Sequence, residues 1–227
     1  MSRFVSSVVA STLVAACATT TTCADLIDSL STPDGVLAGG AYAAGEGGFR
    51  IDWTVSQNMD GTWHYRYDFT TGAQLPLTPG VSHIILELSD NISSSDLFNF
   101  GNVDPDDPEA VEFGTFGEAP GNPGFPSSES IFGVKIDLFD SDLNTVEFDS
   151  TRQPHWADFY VKGSDDFAYN TDIGVGVSNP SDFLSPSALD ESGNAIYKIL
   201  APNAIPAPGA LGLLVVTGLL GGRRRRS

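Results

Sequence analysis

The sequence predicts an all-β protein: an antiparallel β-sandwich, immunoglobulin-like or jelly-roll, flanked by an N-terminal signal helix and a C-terminal hydrophobic helix. Three observations carry this. Short runs of strict apolar/polar alternation recur along the chain, helical periodicity is scarce between the two ends, and 24 glycines and 14 prolines accompany an aromatic content of 10%. Turn residues at that density beside many aromatics describe a folded, turn-rich β protein rather than a disordered chain.

Taken in order, Met1 to Ala24 opens with Arg3, continues through an apolar stretch of small residues, and reaches Thr22-Cys23-Ala24 before the first acid, Asp25. A basic start, an apolar middle and a small-residue end form a secretory signal, cut between Ala24 and Asp25. A buried N-terminal helix is the structural alternative, but the segment lacks a polar face. Val14-Ala15-Ala16-Cys17 also resembles a lipobox, which would make Cys17 a lipidated first residue.

The body, 25–204, reads as one domain without internal repeats. In Phe49–Gln57, Ile51, Trp53 and Val55 share one face, with Arg50, Asp52 and Thr54 on the other. In 62–70, Trp63, Tyr65, Tyr67 and Phe69 oppose His64, Arg66 and Asp68, and the Asn58-Met59-Asp60-Gly61 link predicts a hairpin between the two runs. In 82–90, Ile84, Leu86 and Leu88 point inward, and further strands are predicted in 131–139, 145–149, 155–161, 173–178 and 195–200. Residues 91–130, dense in Asp, Pro and Gly, read as one long excursion.

The last segment, 205–227, holds Pro206-Ala207-Pro208, an uncharged apolar run from Gly209 to Gly222, and then Arg223, Arg224, Arg225 and Arg226. Fourteen helical residues rise about 21 Å, short of a hydrocarbon core of ~30 Å, so the run spans only marginally. The arginines belong on the cytoplasmic side, which puts the body outside, as the leader does.

Charge follows the same division. Arg3 and the four terminal arginines are five of eleven basic residues, so the body carries about −23 against a whole-chain −18. That field repels phosphate backbones, which excludes nucleic acid as a partner and favours cations. Cys17 and Cys23 both lie in the leader, so a mature chain from Asp25 contains no thiol.

The order of the terminal parts, Pro206-Ala207-Pro208, apolar helix, then Arg223 to Arg226, resembles the PEP-CTERM sorting tail. The resemblance implies recognition and removal by an exosortase-type membrane protease, although Ala207 stands where that family usually has glutamate. An uncut membrane anchor is the alternative. The body, over most of 60–160, is similar to an uncharacterised ectodomain that accompanies such tails, through stretches such as Gly61-Thr62-Trp63-His64-Tyr65-Arg66-Tyr67 and Gln153-Pro154-His155-Trp156-Ala157-Asp158. It implies an extracellular domain and supplies no site residues. Leu75-Pro76-Leu77-Thr78 imitates a sortase site, but it lies mid-chain and Pro79 follows it.

No Gly-x-Ser-x-Gly, His-x-His or His-Glu-x-x-His motif occurs, and His64, His83 and His155 fall on three separate strands. The sequence therefore predicts no catalytic residues and no obligate cofactor. Asp140, Asp142 and Asn144 copy the first, third and fifth positions of a calcium loop, but Thr145 and Thr151 replace its glycine and bidentate glutamate, which rules out an EF-hand. Asp104 to Glu109 is a second acidic cluster. Trp53 and Trp63 read as core, and Trp156 with Tyr160 as core or as a platform for extracellular polysaccharide. The expectation is a non-enzymatic protein exported by signal peptidase to the cell surface or extracellular matrix. The runners-up are a carbohydrate-binding module and a secreted hydrolase.

Overall fold

The computed structural model describes residues 24–44 and 47–206. The leader before Ala24, Ala207, Pro208 and the four terminal arginines lie outside the described residues, as do both flanking helices. Among the described residues, no helix is long and apolar enough to cross a membrane.

The strands, in chain order, are β1 (Leu26–Ser31), β2 (Val36–Gly39), β3 (Phe49–Gln57), β4 (Trp63–Thr71), β5 (His83–Glu87), β6 (Leu97–Gly101), β7 (Val111–Gly117), β8 (Ser130–Asp137), β9 (Thr145–Ser150), β10 (Arg152–Ala157), β11 (Phe159–Gly163), β12 (Asp166–Asn170), β13 (Ala188–Leu189), β14 (Ala195–Ile196) and β15 (Ile199–Pro206). One sheet runs β1-β3-β4-β9-β6 and a second runs β2-β12-β11-β5-β8-β7; β10 pairs with β15, and β13 with β14. Every pair of named strands is antiparallel.

The alternation read in β3 and β4 decides the core. Ile51, Trp53, Val55, Trp63, Tyr65, Tyr67 and Phe69 are all buried, and they share one cluster with Ile84, Leu86, Val134 and Ile136 of the second sheet. The two sheets thus close over a common interior, while Arg50, Asp52, Arg66 and Asp68 pair on the outside. The hairpin also forms as read. Asn58 donates its backbone N–H to Thr62 O at 2.8 Å, and Gly61 takes φ +89°, which a side chain would resist.

The rest of the chain differs from the sequence reading in definable ways. The stretch 91–130 is not one loop, because β6 and β7 lie within it. Asn99 (φ 54°) and Asn102 (φ 60°) break the alternation around β6 and hide it from a period-2 reading. The single strand expected over 155–161 is two, β10 and β11, which belong to different sheets and part at Asp158. Residues 173–178 form a turn and an irregular run instead of a strand, 195–200 divides into β14 and the start of β15, and β1, β2, β12 and β13 are additional.

Ile85 shows why the polar phase failed in the second sheet. It is fully buried on the side away from the main core, in a smaller cluster with Phe125, Ile131, Tyr160 and Ile173. The turn carrying Phe125 folds back over that face. Tyr160 Oη donates to Pro123 O at 2.8 Å and pins it there. A sheet covered on both faces carries apolar residues in both phases.

Candidate functional site

Most residues singled out by sequence are spent on local structure. Asp140 Oδ1 accepts the Asp142 N–H at 3.0 Å, capping a 3-10 turn, and Asn144 Oδ1 turns inward to accept from Val81 N at 3.1 Å. Of the calcium candidates Asp140, Asp142 and Asn144, the first and the last thus each spend a side-chain oxygen on the backbone. Asp104 and Asp107 likewise accept from the backbone of Asp106 and Glu109. No cluster of metal-ligating side chains occurs among the described residues.

The histidines separate into two kinds. His64, half-buried, meets Asp149 at 2.9 Å on the outer face. His83 and His155 are buried, and burial lowers both to about pKa 4, so each is a neutral imidazole at pH 7. Trp156 and Tyr160 do not form an exposed platform. Both are buried, Trp156 in the main core with Nε1 donating to Asp182 O, and Tyr160 in the second cluster.

The structure instead assembles a group that no local motif announced. Asp158, at the break between β10 and β11, is 4% exposed, and Lys198, just before β15, is 3% exposed. The Lys198 ammonium pairs with Asp158 Oδ1 and also donates to Asp172 O at 2.9 Å. Asn170, fully buried, donates to the same Oδ1 at 2.6 Å, and the Gly174 N–H donates to Oδ2 at 2.9 Å. Gly174 has φ +79°, the conformation that aims its N–H at the carboxylate.

Glu87, at the end of β5, completes the group. Its Oε2 accepts the Asp158 N–H at 2.7 Å, and its own N–H donates to Asp158 O at 2.9 Å. Burial raises the Glu87 pKa, the neighbouring Asp158 charge raises it further, and the Lys198 charge works in the opposite direction. No family model, curated protein or solved structure matches this chain.

Glu87 and Asp158 also line a polar cleft of about 460 Å³, together with Asp90, Glu129, His155 and Trp156. His155 Nε2 is buried there without a hydrogen-bond partner. With both Asp158 oxygens taken, the acids left to act in the cleft are Glu87, Asp90 and Glu129. The signal that sequence reading could have used is the chemical misfit of two residues. Asp158 shares the phase of Trp156 and Tyr160, and Lys198 interrupts the apolar run around Ile196, Ile199 and Leu200.

Proposed function

We propose that this chain is an exported cell-surface or extracellular-matrix protein whose body is a β-sandwich acting by display or association. Signal peptidase releases the leader between Ala24 and Asp25. An exosortase-type protease reads the tail at Pro206-Ala207-Pro208, with the hydrophobic helix holding the chain in the membrane until then. Repeated crossing of successive strands between the two sheets, as in β4 to β5 to β6 to β7, favours the jelly-roll type over the immunoglobulin type.

One observation supports the reading: the strands start just past the expected leader cut and run two residues into the expected 205–227 tail, stopping at the first residue of its motif. The first strand opens at Leu26 and the last ends at Pro206. Intact-mass measurement of the protein recovered from cell surface and medium tests it. A species beginning at Asp25 and lacking the arginines is the expected result, and a membrane-bound chain retaining Arg226 would refute the processing step.

A secreted hydrolase is a second reading, favoured by the placing of Glu87, Asp90 and Glu129 in one cleft with the Glu87 pKa raised. Release of reducing ends from extracellular polysaccharide, abolished by Glu87→Gln, would establish it. No release would remove it. Burial of Trp156 and Tyr160 takes away the platform on which the carbohydrate-binding module rested.

A further inference from the structure

We infer that Lys198 and Asp158 condense into an intramolecular amide, Nζ to Cγ, with Glu87 relaying the proton, so that the start of the last strand is covalently tied to the junction between β10 and β11. This goes beyond the display reading and does not depend on how the ends are processed.

The reactants are already in contact and held from several sides. Lys198 Nζ lies against Asp158 Oδ1, and its other acceptor is the Asp172 carbonyl. Asn170 Nδ2 and Gly174 N fix the carboxyl plane through Oδ1 and Oδ2, and Asn170 is itself held by Phe159 N donating to its Oδ1 at 3.0 Å. Both reacting side chains are themselves buried, Lys198 at 1% and Asp158 at 5% exposure, so solvent offers neither an alternative partner. Orientation of this kind corresponds to effective molarities on the order of 10⁵ M or more, enough to favour amide formation over attack by the water it competes with.

The balance needs no co-reactant. An ammonium and a carboxylate become one amide and one water: Nζ gives up two hydrogens, Asp158 gives up one oxygen, and two buried charges disappear together. The first proton must leave Nζ to free its lone pair, and a proton must reach the departing oxygen. Glu87 is placed for this transfer, being hydrogen-bonded to the Asp158 backbone and under the field of Lys198. Its raised pKa lets it hold and return a proton more readily than an ordinary carboxylate. The cleft bordered by Glu87 and Asp158 gives the product water an exit. Replacing a desolvated ion pair by a neutral amide also removes the cost of keeping both charges from water.

Peptide mapping of the denatured full-length chain tests the bond. Trypsin does not cut after an acylated lysine, so the peptide from Gln153 to Lys162 should be recovered joined to the one that starts at Gly163 and runs on past Lys198; an uncut Lys162 would give the same mass, so the linked species is identified by its two N-termini, Gln153 and Gly163. Lys198→Arg keeps the charge but loses the nucleophile, and should release the Gln153 peptide unlinked. Glu87→Gln should abolish or greatly slow linkage, and complete linkage in that variant would overturn the relay role. Free peptides and normal cleavage after Lys198 in the unmutated chain would overturn the cross-link, whether or not either variant folds. Water loss confined to the Asp34-Gly35 or Asp60-Gly61 peptides would overturn it equally.

Discussion

Charged pairs occupy two contrasting settings in this molecule. On the outer face of β3, β4 and β9, Arg66 meets Asp68 with the side chains 44% and 38% exposed, and its neighbours pair in the same way. At the junction of β10 and β11, Lys198 and Asp158 meet with side chains 1% and 5% exposed. The residue types match and the energetics do not. Water already solvates the outer charges, so pairing adds about 0–1 kcal/mol, whereas the inner charges exist only while each satisfies the other. The exposed face keeps its charges in water, and the buried group must satisfy its own.

The largest break in that contrast is Asp158→Ala, which leaves the Lys198 ammonium buried with neither a counter-charge nor a carboxyl to condense with. A loss of about 3–5 kcal/mol is expected from urea denaturation. A loss below about 1 kcal/mol would mean that the inner pair behaves like the outer ones. Next comes Phe125→Ala, which empties the centre of the second cluster, where Phe125 packs on Tyr160 with ring centroids 5.1 Å apart. Its expected cost is about 3 kcal/mol. Increased proteolysis around Pro123 should accompany it, since the turn then keeps only polar ties such as Tyr160 Oη to Pro123 O and Asn122 Nδ2 to Gly117 O. An unchanged midpoint would show that this face is not a core.

Protonation separates the two settings next. His83 and His155 titrate near 4 in the folded protein because burial disfavours the imidazolium. The unfolded imidazole titrates near 6.5, so between about 4 and 6.5 the unfolded chain binds more protons. Stability is therefore full above pH 6.5 and falls with acidification, by about 2 kcal/mol per buried histidine between pH 7 and 5. Glu87 opposes this trend, since its raised pKa makes the folded state hold a proton more tightly than the unfolded one. Urea midpoints at pH 7 and 5, for the protein and for His155→Gln, should show a steep dependence that the variant partly flattens. A pH-independent midpoint would contradict burial of both rings.

The same contrast explains what the sequence could disclose. Where one sheet face is wet, as in β3 and β4, alternation names the core residue by residue, and Asn58 to Gly61 announces the turn. Where both faces are covered, Ile85 and Tyr160 fall in the wrong phase, because their cover comes from Phe125, distant in sequence and set in a segment that reads as loop. The Asp158 group is less legible still. Glu87, Asp158 and Lys198 lie 71 and 40 residues apart in successive steps, and no local period encodes that meeting. Asp140, Asp142 and Asn144 show the converse, being spaced like ligands while in the fold they serve a 3-10 turn and a backbone N–H.

The smallest expected effect tests the outer setting directly. Arg66 donates to Asp68 through Nε and Nη2 at 2.8 and 2.7 Å and to Glu147 through Nη1 at 3.2 Å, a geometry as good as that of any pair in the molecule. Good geometry alone would predict a large loss for Arg66→Ala. Exposure predicts a small one, because water replaces each lost hydrogen bond and salt screens the charges, leaving about 1 kcal/mol or less. The body's excess of acids adds a second dependence: removing a cation brings Asp68 and Glu147 into unrelieved repulsion, which salt also screens. The loss should therefore be greatest at low ionic strength and shrink towards zero in molar salt, read as urea midpoints at the two extremes. A loss above about 2 kcal/mol that persists in high salt would show that the outer pairs carry structure as the inner pair does, and the distinction between the two settings would fail.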